Sequence, residues 1–501
     1  MPVDSKHSSL SEYATIYQEI DTILAGEDKV KLNSSFVPKL SGQDPTEYRA
    51  YRNRGLFFNA TATTVSIMTG SAMRKRPIIE APENMLESLK SCTQNGESIE
   101  QVIQEQYNQN ISFARYGVLV DYSKEQKLPY LSLYDKDSII NWNEGLVEGK
   151  IRLTMLVLKE IVTTVSPEDR FKTIQQDQYR HFFLDDDGYL QVDTYIEDTL
   201  SNLNNRIYLK DTNSIATPIN KGKRLNYIPF VIFTPDGLSM SPKKPPIYDL
   251  VKLNIAHWRN SVDFFHGLHY CAIPTAWASG FGKDTILKVG GTTAWVTEDV
   301  GGKCGYLEFT GQGLNPLKEA LEHIETLMAI AGTRLIEHSK KTIERAETLR
   351  IRSSGDSATL SSIANTAEKG FLKVLQYYGE WMGVNPSQIS IALNKDFLDV
   401  ELDSSQLIAL LKAVQLGEIS QDTFLHNLMI GEILPEGISV EVEKERIKKD
   451  ISERQDLINR VMAEKGITIT EEDSYMQDDY EFMNGKGQVS KAVDKDIREN
   501  V

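Results

Sequence analysis

Apolar positions recur at helical spacing over two long stretches in the middle of the chain. From Pro245 the stripe reads Ile247, Val251, Ile255, Trp258, Val262 and Phe265, which places all six on one side of a helix roughly five turns long. Pro245-Pro246 opens it, where a missing N–H costs nothing. A second stripe, Leu314, Leu317, Leu321, Ile324, Met328, Ala331 and Leu335, alternates steps of three and four and suits packing on a neighbouring helix. Asn315-Pro316 supplies its cap and first turn. A third helix, Ser357–Met382, sets Ile363, Ala367, Phe371, Val374, Tyr378 and Trp381 on one face and stops at Gly383 and Pro386. Between the first two, residues 271–310 lose the period: AIPTAWASGF, ILKVGGTTAWVTED and CGYLEF read as short strands joined by glycines.

Upstream, residues 8–26 and 44–76 read as helical and Glu97–Tyr116 as an amphipathic helix. From Gly117 to residue 234 the period falls to that of strands, with runs such as GVLVDYS, IRLTMLVLKEIVTTV and YIPFVIF between Asp/Gly/Asn/Pro turns. This stretch is expected to be an α+β unit with a mostly antiparallel sheet, and Ser201–Lys223 a polar loop or β excursion. Downstream, ISIALNKDF is strand-like, Ser404–Leu416 and Ser420–Met429 pair as helices, and Val440–Lys465 is a highly charged helix. Glu471–Val501 is acidic and polar, the composition of a flexible tail. No internal repeat is visible.

At 501 residues the chain exceeds what one core organises, so two or more folding units are expected. A hydrophobic share of 40% with 25% charged residues is that of a soluble globular protein, and no apolar run reaches the length of a bilayer span. MPVDSKHSSLSEY lacks the basic and apolar regions of a secretory signal. Cys92, Cys271 and Cys304 have neither metal-ligand nor disulfide-framework spacing, which fits a reducing cytoplasm. A formal charge of −16 argues against tight capture of free DNA.

Candidate chemistry is sparse. Gly280-Phe-Gly-Lys-Asp-Thr resembles a phosphate loop, but Asp284 stands where the hydroxyl is required and no glycine lies five residues before Gly282, so a β turn is the better reading. His266 and His269, with His257 upstream, lack the carboxylate or cysteine that would complete a metal site; an imidazole near a helix C-terminus is a common stabilising choice. Nucleophile-elbow, zincin and dinucleotide motifs are missing, and no carboxylate pair has the apolar setting of acid–base work. The helix pair at 404–429 lacks lysine or arginine in SQDTFLHNLMI and reads as a packing hairpin rather than a DNA-reading one. Arg49, Arg52 and Arg54 with Arg74, Lys75 and Arg76 could meet an acidic partner, against a solvated rim as the favoured reading. No catalytic residue, metal or cofactor is assigned.

The order of these elements resembles the portal (head-to-tail connector) proteins of tailed bacteriophages, in a podovirus- and prophage-associated subfamily long catalogued as a domain of unknown function. The segments that carry the resemblance are Tyr51–Pro77, Asn226–Phe230, Pro245–Thr275, Ala294–Gly313, Met328–Leu335 and Glu347–Thr366. It implies a phage portal fold, mainly helical, with a mixed or antiparallel wing sheet, paired stem helices and a small β-containing clip. Carried over, residues 1–244 would be the wing, 245–270 and 311–338 the stem helices, 271–310 the clip, 339–356 the tunnel loop and 357–400 a wing return. Residues 401–465 would be a helical crown and 466–501 the acidic tail. Ile247, Val251, Trp258, Phe265, Leu317, Leu321, Ile324, Met328 and Leu335 would pack the stem.

The resemblance further implies a ring of twelve at one capsid vertex, located in the virion and, during assembly, in the host cytoplasm. Its partners would be passing double-stranded DNA, read without sequence specificity, the large terminase packaging motor, a head-tail adaptor, and the major capsid and scaffolding proteins, with no membrane. Twelve helices ~10–12 Å across, side by side, enclose a hole of roughly 28 Å, room for a duplex of about 20 Å. An acidic lumen would favour sliding over binding. Lys340, Lys341, Arg345, Arg350 and Arg352 are the candidates to touch phosphates, against pairing with Glu344 and Glu347. The competing classes are another virion component, such as a tail adaptor or capsid-lining protein, and a nucleic-acid-processing enzyme, which would need a divalent-metal carboxylate cluster.

Overall fold

The computed structural model describes residues 3–147, 149–165, 169–197, 208–210, 219–220, 223–273, 275–282, 286–288, 294–307, 311–336, 346–395, 397, 410–414, 418–430, 441–450 and 452–453. The chain divides into two units, Met1–Phe397 and Leu398–Val501. In the first, a 3-10 turn at Ser8–Tyr13 leads into α1 (Ala14–Leu24), α2 (Glu27–Leu32), α3 (Pro45–Arg54) and α4 (Ala60–Ala72). A short strand β1 (Ile78–Glu80) separates these from α5 (Glu83–Leu89) and α6 (Ile99–Phe113). Two of the helix starts are plain in the sequence. Asp44 accepts from the Thr46 and Glu47 amides while Glu47 reaches back, and Ser98 and Gln101 do the same for α6.

The strands β2 (Tyr116–Ser123), β3 (Leu128–Tyr134), β4 (Ile139–Val147), β5 (Lys150–Val165), β6 (Thr173–Leu184), β7 (Leu190–Glu197), β8 (Tyr208–Lys210), β9 (Ile219–Asn220), β10 (Lys223–Arg224) and β11 (Phe230–Phe233) follow. They form a three-stranded sheet in the order β11-β2-β3, a five-stranded meander β4 to β8, and the small pair β9–β10. All are antiparallel, as the alternating runs and their turn residues require. The chain is thus α+β. An arginine bolts the two larger sheets together: Arg180 on β6 donates to Asp121 on β2 (2.7 Å) and to Glu160 on β5 (3.5 Å).

The remaining elements of this unit are α7 (Tyr248–Ala272), β12 (Thr275–Ser279), β13 (Lys303–Leu307), α8 (Leu314–Ile336), α9 (Ala346–Met382) and β14 (Ser390–Ala392). β12 pairs with β13, and β14 returns to pair with β1. One core runs between α1, α4, α6, α7 and α9 and the inner face of the three-stranded sheet, with Trp258, Met68, Ile103 and Phe371 wholly buried. α9 crosses β11 so closely that a Cβ on Gly370 would lie 2.3 Å from the Phe233 ring. Gly370→Ala should therefore lower stability by about 1 kcal/mol net: roughly 2 kcal/mol of overpacking against about 1 kcal/mol of regained helix propensity. Urea unfolding checks this, and Phe233→Leu in the same chain should restore part of the loss.

The structure differs from the sequence reading at three places. Residues 44–76 are two helices broken at 55–59, because the connecting backbone is held by α7. The described part of ILKVGGTTAWVTED carries no strand. The third long helix begins at Ala346 rather than Ser357, so Arg350 and Arg352 stand on its first turns and not in a loop.

The second unit contains helical segments at 410–414 and 441–450 and α10 (Gln421–Ile430). Ser420 caps α10 through the Thr423 amide, and Lys444 pairs with Asp422 at 2.7 Å.

Candidate functional site: the paired helices and their β extension

α7 and α8 are about 37 and 34 Å long and run antiparallel, since His257 meets Glu325 (Nε2 to Oε1, 3.1 Å) while Gly267 meets Leu314. A Cβ on Gly267 would come within 2.9 Å of Leu314, so the helices touch backbone to side chain at that end. α8 also leans on α4, where a Cβ on Gly332 would sit 3.1 Å from the Thr64 hydroxyl.

The two ends of this pair have different surroundings. At the root, Ile247, Val251, Ile255, Trp258 and Val262 are buried on α7, and Leu321 and Met328 on α8. Ile324 is half-buried against the same core; farther out, Phe265 and Leu317 are only half-buried, and Leu268, Tyr270 and Ile273 are exposed. The β12–β13 pair is bare on both faces: Trp277 is 44% exposed, Tyr306 56% and Leu307 59%. A lone two-stranded ribbon is marginal in water, and an apolar rim of this extent needs cover.

Among the sequence-predicted packing residues, Ile247, Val251, Trp258 and Met328 come together in the core with Ile324 packed against them, Leu321 is buried on α8, and Phe265 and Leu317 are half-buried farther out. Leu335 lies on α8, its side chain outside the described residues. Lys340, Lys341 and Arg345 also lie outside the described residues; Arg350 and Arg352 are described in backbone only.

Polar residues on α7 do work that the apolar stripe does not announce. Ser261 exchanges hydrogen bonds with both the N–H and the C=O of Leu56 (3.0 and 2.8 Å). Asn254 accepts from the Thr61 amide and hydroxyl and donates to the Phe58 carbonyl (2.8 Å). They satisfy the backbone of 55–61 that leaves the helix. The only signal for this in the sequence is their position, Asn254 and Ser261 lying among the buried residues of the helix.

Beyond Ser261, the C-terminus of α3 meets α7 in a polar cluster. Arg54 donates to Nδ1 of His266 (3.2 Å), and Tyr51 donates to Asp263. An imidazole that accepts there is neutral, and burial with the neighbouring Arg54 holds its pKa below the ordinary value. Burial also lowers His181, and burial with Arg115 lowers His7. In all three the unfolded chain takes up protons first as pH falls. Their contribution to stability is full above about pH 6.5 and is lost below it. The melting temperature should fall between pH 7.5 and pH 5.5, and His181→Gln should flatten that fall.

Cys92, Cys271 and Cys304 are free thiols, and burial pushes Cys92 up to about 12. Among the described residues, no group of three or more His, Cys, Asp or Glu could hold a metal ion, and no helix is long and apolar enough to cross a membrane.

Residues 246–382, from the foot of α7 through α9, match the family model described as a domain of unknown function, DUF4055. Among solved structures, the neck of an empty gene transfer agent particle, computed with C6 symmetry, contains a chain 12% identical, with a TM-score of 0.39, covering 81% of this chain and 98% of its own. The virion of the native gene transfer agent particle contains a similar one (12% identity, TM-score 0.39, coverage 83% and 98%). A third comes from the native neck computed with C12 symmetry (12%, 0.36, 79% and 97%). No curated protein matches the chain.

Proposed function

We propose that this chain is a virion structural protein without enzymatic activity, the portal subunit of a tailed phage, which closes into a dodecameric channel at one capsid vertex. The observation that carries the reading is the α7–α8 pair: rooted in the core at one end, bare and apolar at the other, and tipped by a ribbon that has no second layer among the described residues. Subunits placed side by side would cover the outer halves of each pair and leave an axis open for duplex DNA. The segment matching the family model spans this helix–ribbon–helix–helix order, and the order of matched sequence segments along the chain supports the same reading.

In this scheme the β12–β13 end docks the terminase motor and later a head-tail adaptor, DNA threads between the helices, and the basic residues at 340–352 meet phosphates in passing. Negative-stain imaging of the purified protein tests it: rings with an axial hole are expected. A pore-free monomer at every concentration and in the presence of capsid and scaffolding proteins would overturn it. Reversing Lys340 and Lys341 to glutamate should strongly impair DNA packaging or retention while rings still form. Unassembled subunits would assign those lysines a structural role instead.

A further inference from the structure

Arg115 follows α6 directly and is wholly buried. One amino group, Nη1, donates to the Met240 carbonyl (2.5 Å), and the guanidinium lies 4.4 Å over the Trp142 ring. Its other edge is idle, because Nε and Nη2 have no hydrogen-bond partner. The hydroxyl of Tyr17, also buried, is equally unpartnered, and the two groups sense one another's charge. Burial lowers the Arg115 pKa to about 10, and the one influence that opposes it is the Tyr17 phenol, not a carboxylate. Arg115 Nε and Nη2 and the Tyr17 hydroxyl are thus three buried donors without a partner. A buried ion is tolerated when it is paired, and each idle buried donor is destabilising.

We propose that Arg115 and Tyr17 hold a small oxyanion inside the first unit. The Nε–Nη2 edge is the side of a guanidinium that receives two coplanar oxygens at once, so it fits a carboxylate or phosphate better than a spherical halide. The phenol supplies a third donor. Asp21 and Asp137 do not compete for the place, since both are engaged by Lys136 (3.0 and 2.5 Å). The site is closed: His7 stacks on Trp142 at 4.0 Å, and its amide donates to the Ile140 carbonyl (2.8 Å). The ion therefore enters as the chain folds, or when residues 4–7 lift from β4, and it acts as a structural counter-charge.

Thermal unfolding of the full chain in formate, phosphate and fluoride at equal ionic strength tests this. Formate and phosphate should raise the midpoint saturably, fluoride should not, and Arg115→Met should abolish the difference. Tyr17→Phe, which leaves the guanidinium in place, should weaken the response without removing it, and guards against a variant that fails to fold. A high-resolution density map of the formate-grown protein should show a planar ligand beside Nε and Nη2. Water alone at that place, or a midpoint that responds alike to all three anions or alike in wild type and Arg115→Met, would overturn the proposal.

Discussion

Trp258→Ala is expected to lower the unfolding free energy by about 3 kcal/mol, toward the lower end of what removing a buried tryptophan costs. The indole sits at the root of α7 with no exposure, edge-on to Phe57 (6.1 Å between centroids), and it fills space that Gly55 leaves open. A Cβ on Gly55 would meet the ring at 2.8 Å and Val262 at 2.5 Å, so on that side the hole left by truncation is backed by a residue with no side chain to fill it. The value falls at the low end because the indole N–H has no partner, and its desolvation cost disappears with it. Trp258→Phe, which keeps most of the volume, should lose less than half as much. Urea unfolding followed by circular dichroism checks both. Equal losses for the two variants would show that the indole's size is irrelevant.

Arg180→Met should cost a comparable amount, about 3 kcal/mol, for a different reason. Asp121 and Glu160 would be left facing each other across the join between the two sheets. Tyr134 and Gln178 also donate to Glu160 (2.5 and 2.9 Å), and Tyr130 donates to Asp121 (3.2 Å), so neither carboxylate can easily turn away. Burial alone would depress the Arg180 pKa, yet Asp121, Tyr134 and Glu160 outweigh it and raise it. Adding Glu160→Gln to Arg180→Met removes one of the two facing charges and should recover part of the loss in urea unfolding. A double variant no more stable than Arg180→Met would mean that the arginine contributes packing only.

Much of the fold was legible because burial is periodic. The stripe on α7 names its own inner face, and of the nine apolar residues singled out along α7 and α8, Ile247, Val251, Trp258, Leu321 and Met328 are buried. What could not be read is set by partners distant in sequence. The break at 55–59 is such a case: apolar and small residues run through Gly55–Phe58, and beside the Asn59 cap of α4 it is Ser261 and Asn254, some 200 positions away, that make a non-helical path there favourable. Arg115 is another, since a single arginine after a helix reads as a solvated rim until three other segments close over it. The outer ends of α7 and α8 stay apolar through Phe264, Phe265, Leu268, Leu314 and Leu317, and nothing in that pattern says what should cover them.

The tie between residues 55–61 and α7 has a consequence for biosynthesis. As the nascent chain leaves the ribosome, α3 and α4 emerge long before Ser261, so their linker must wait without its hydrogen bonds for some 200 residues of further translation. A polypeptide ending before residue 248 would carry nearly the whole sheet region yet have no α7 to complete its interior. Such a fragment belongs among chaperone clients and inclusion bodies, and dissecting this protein into soluble pieces should succeed only where the cut falls beyond that helix.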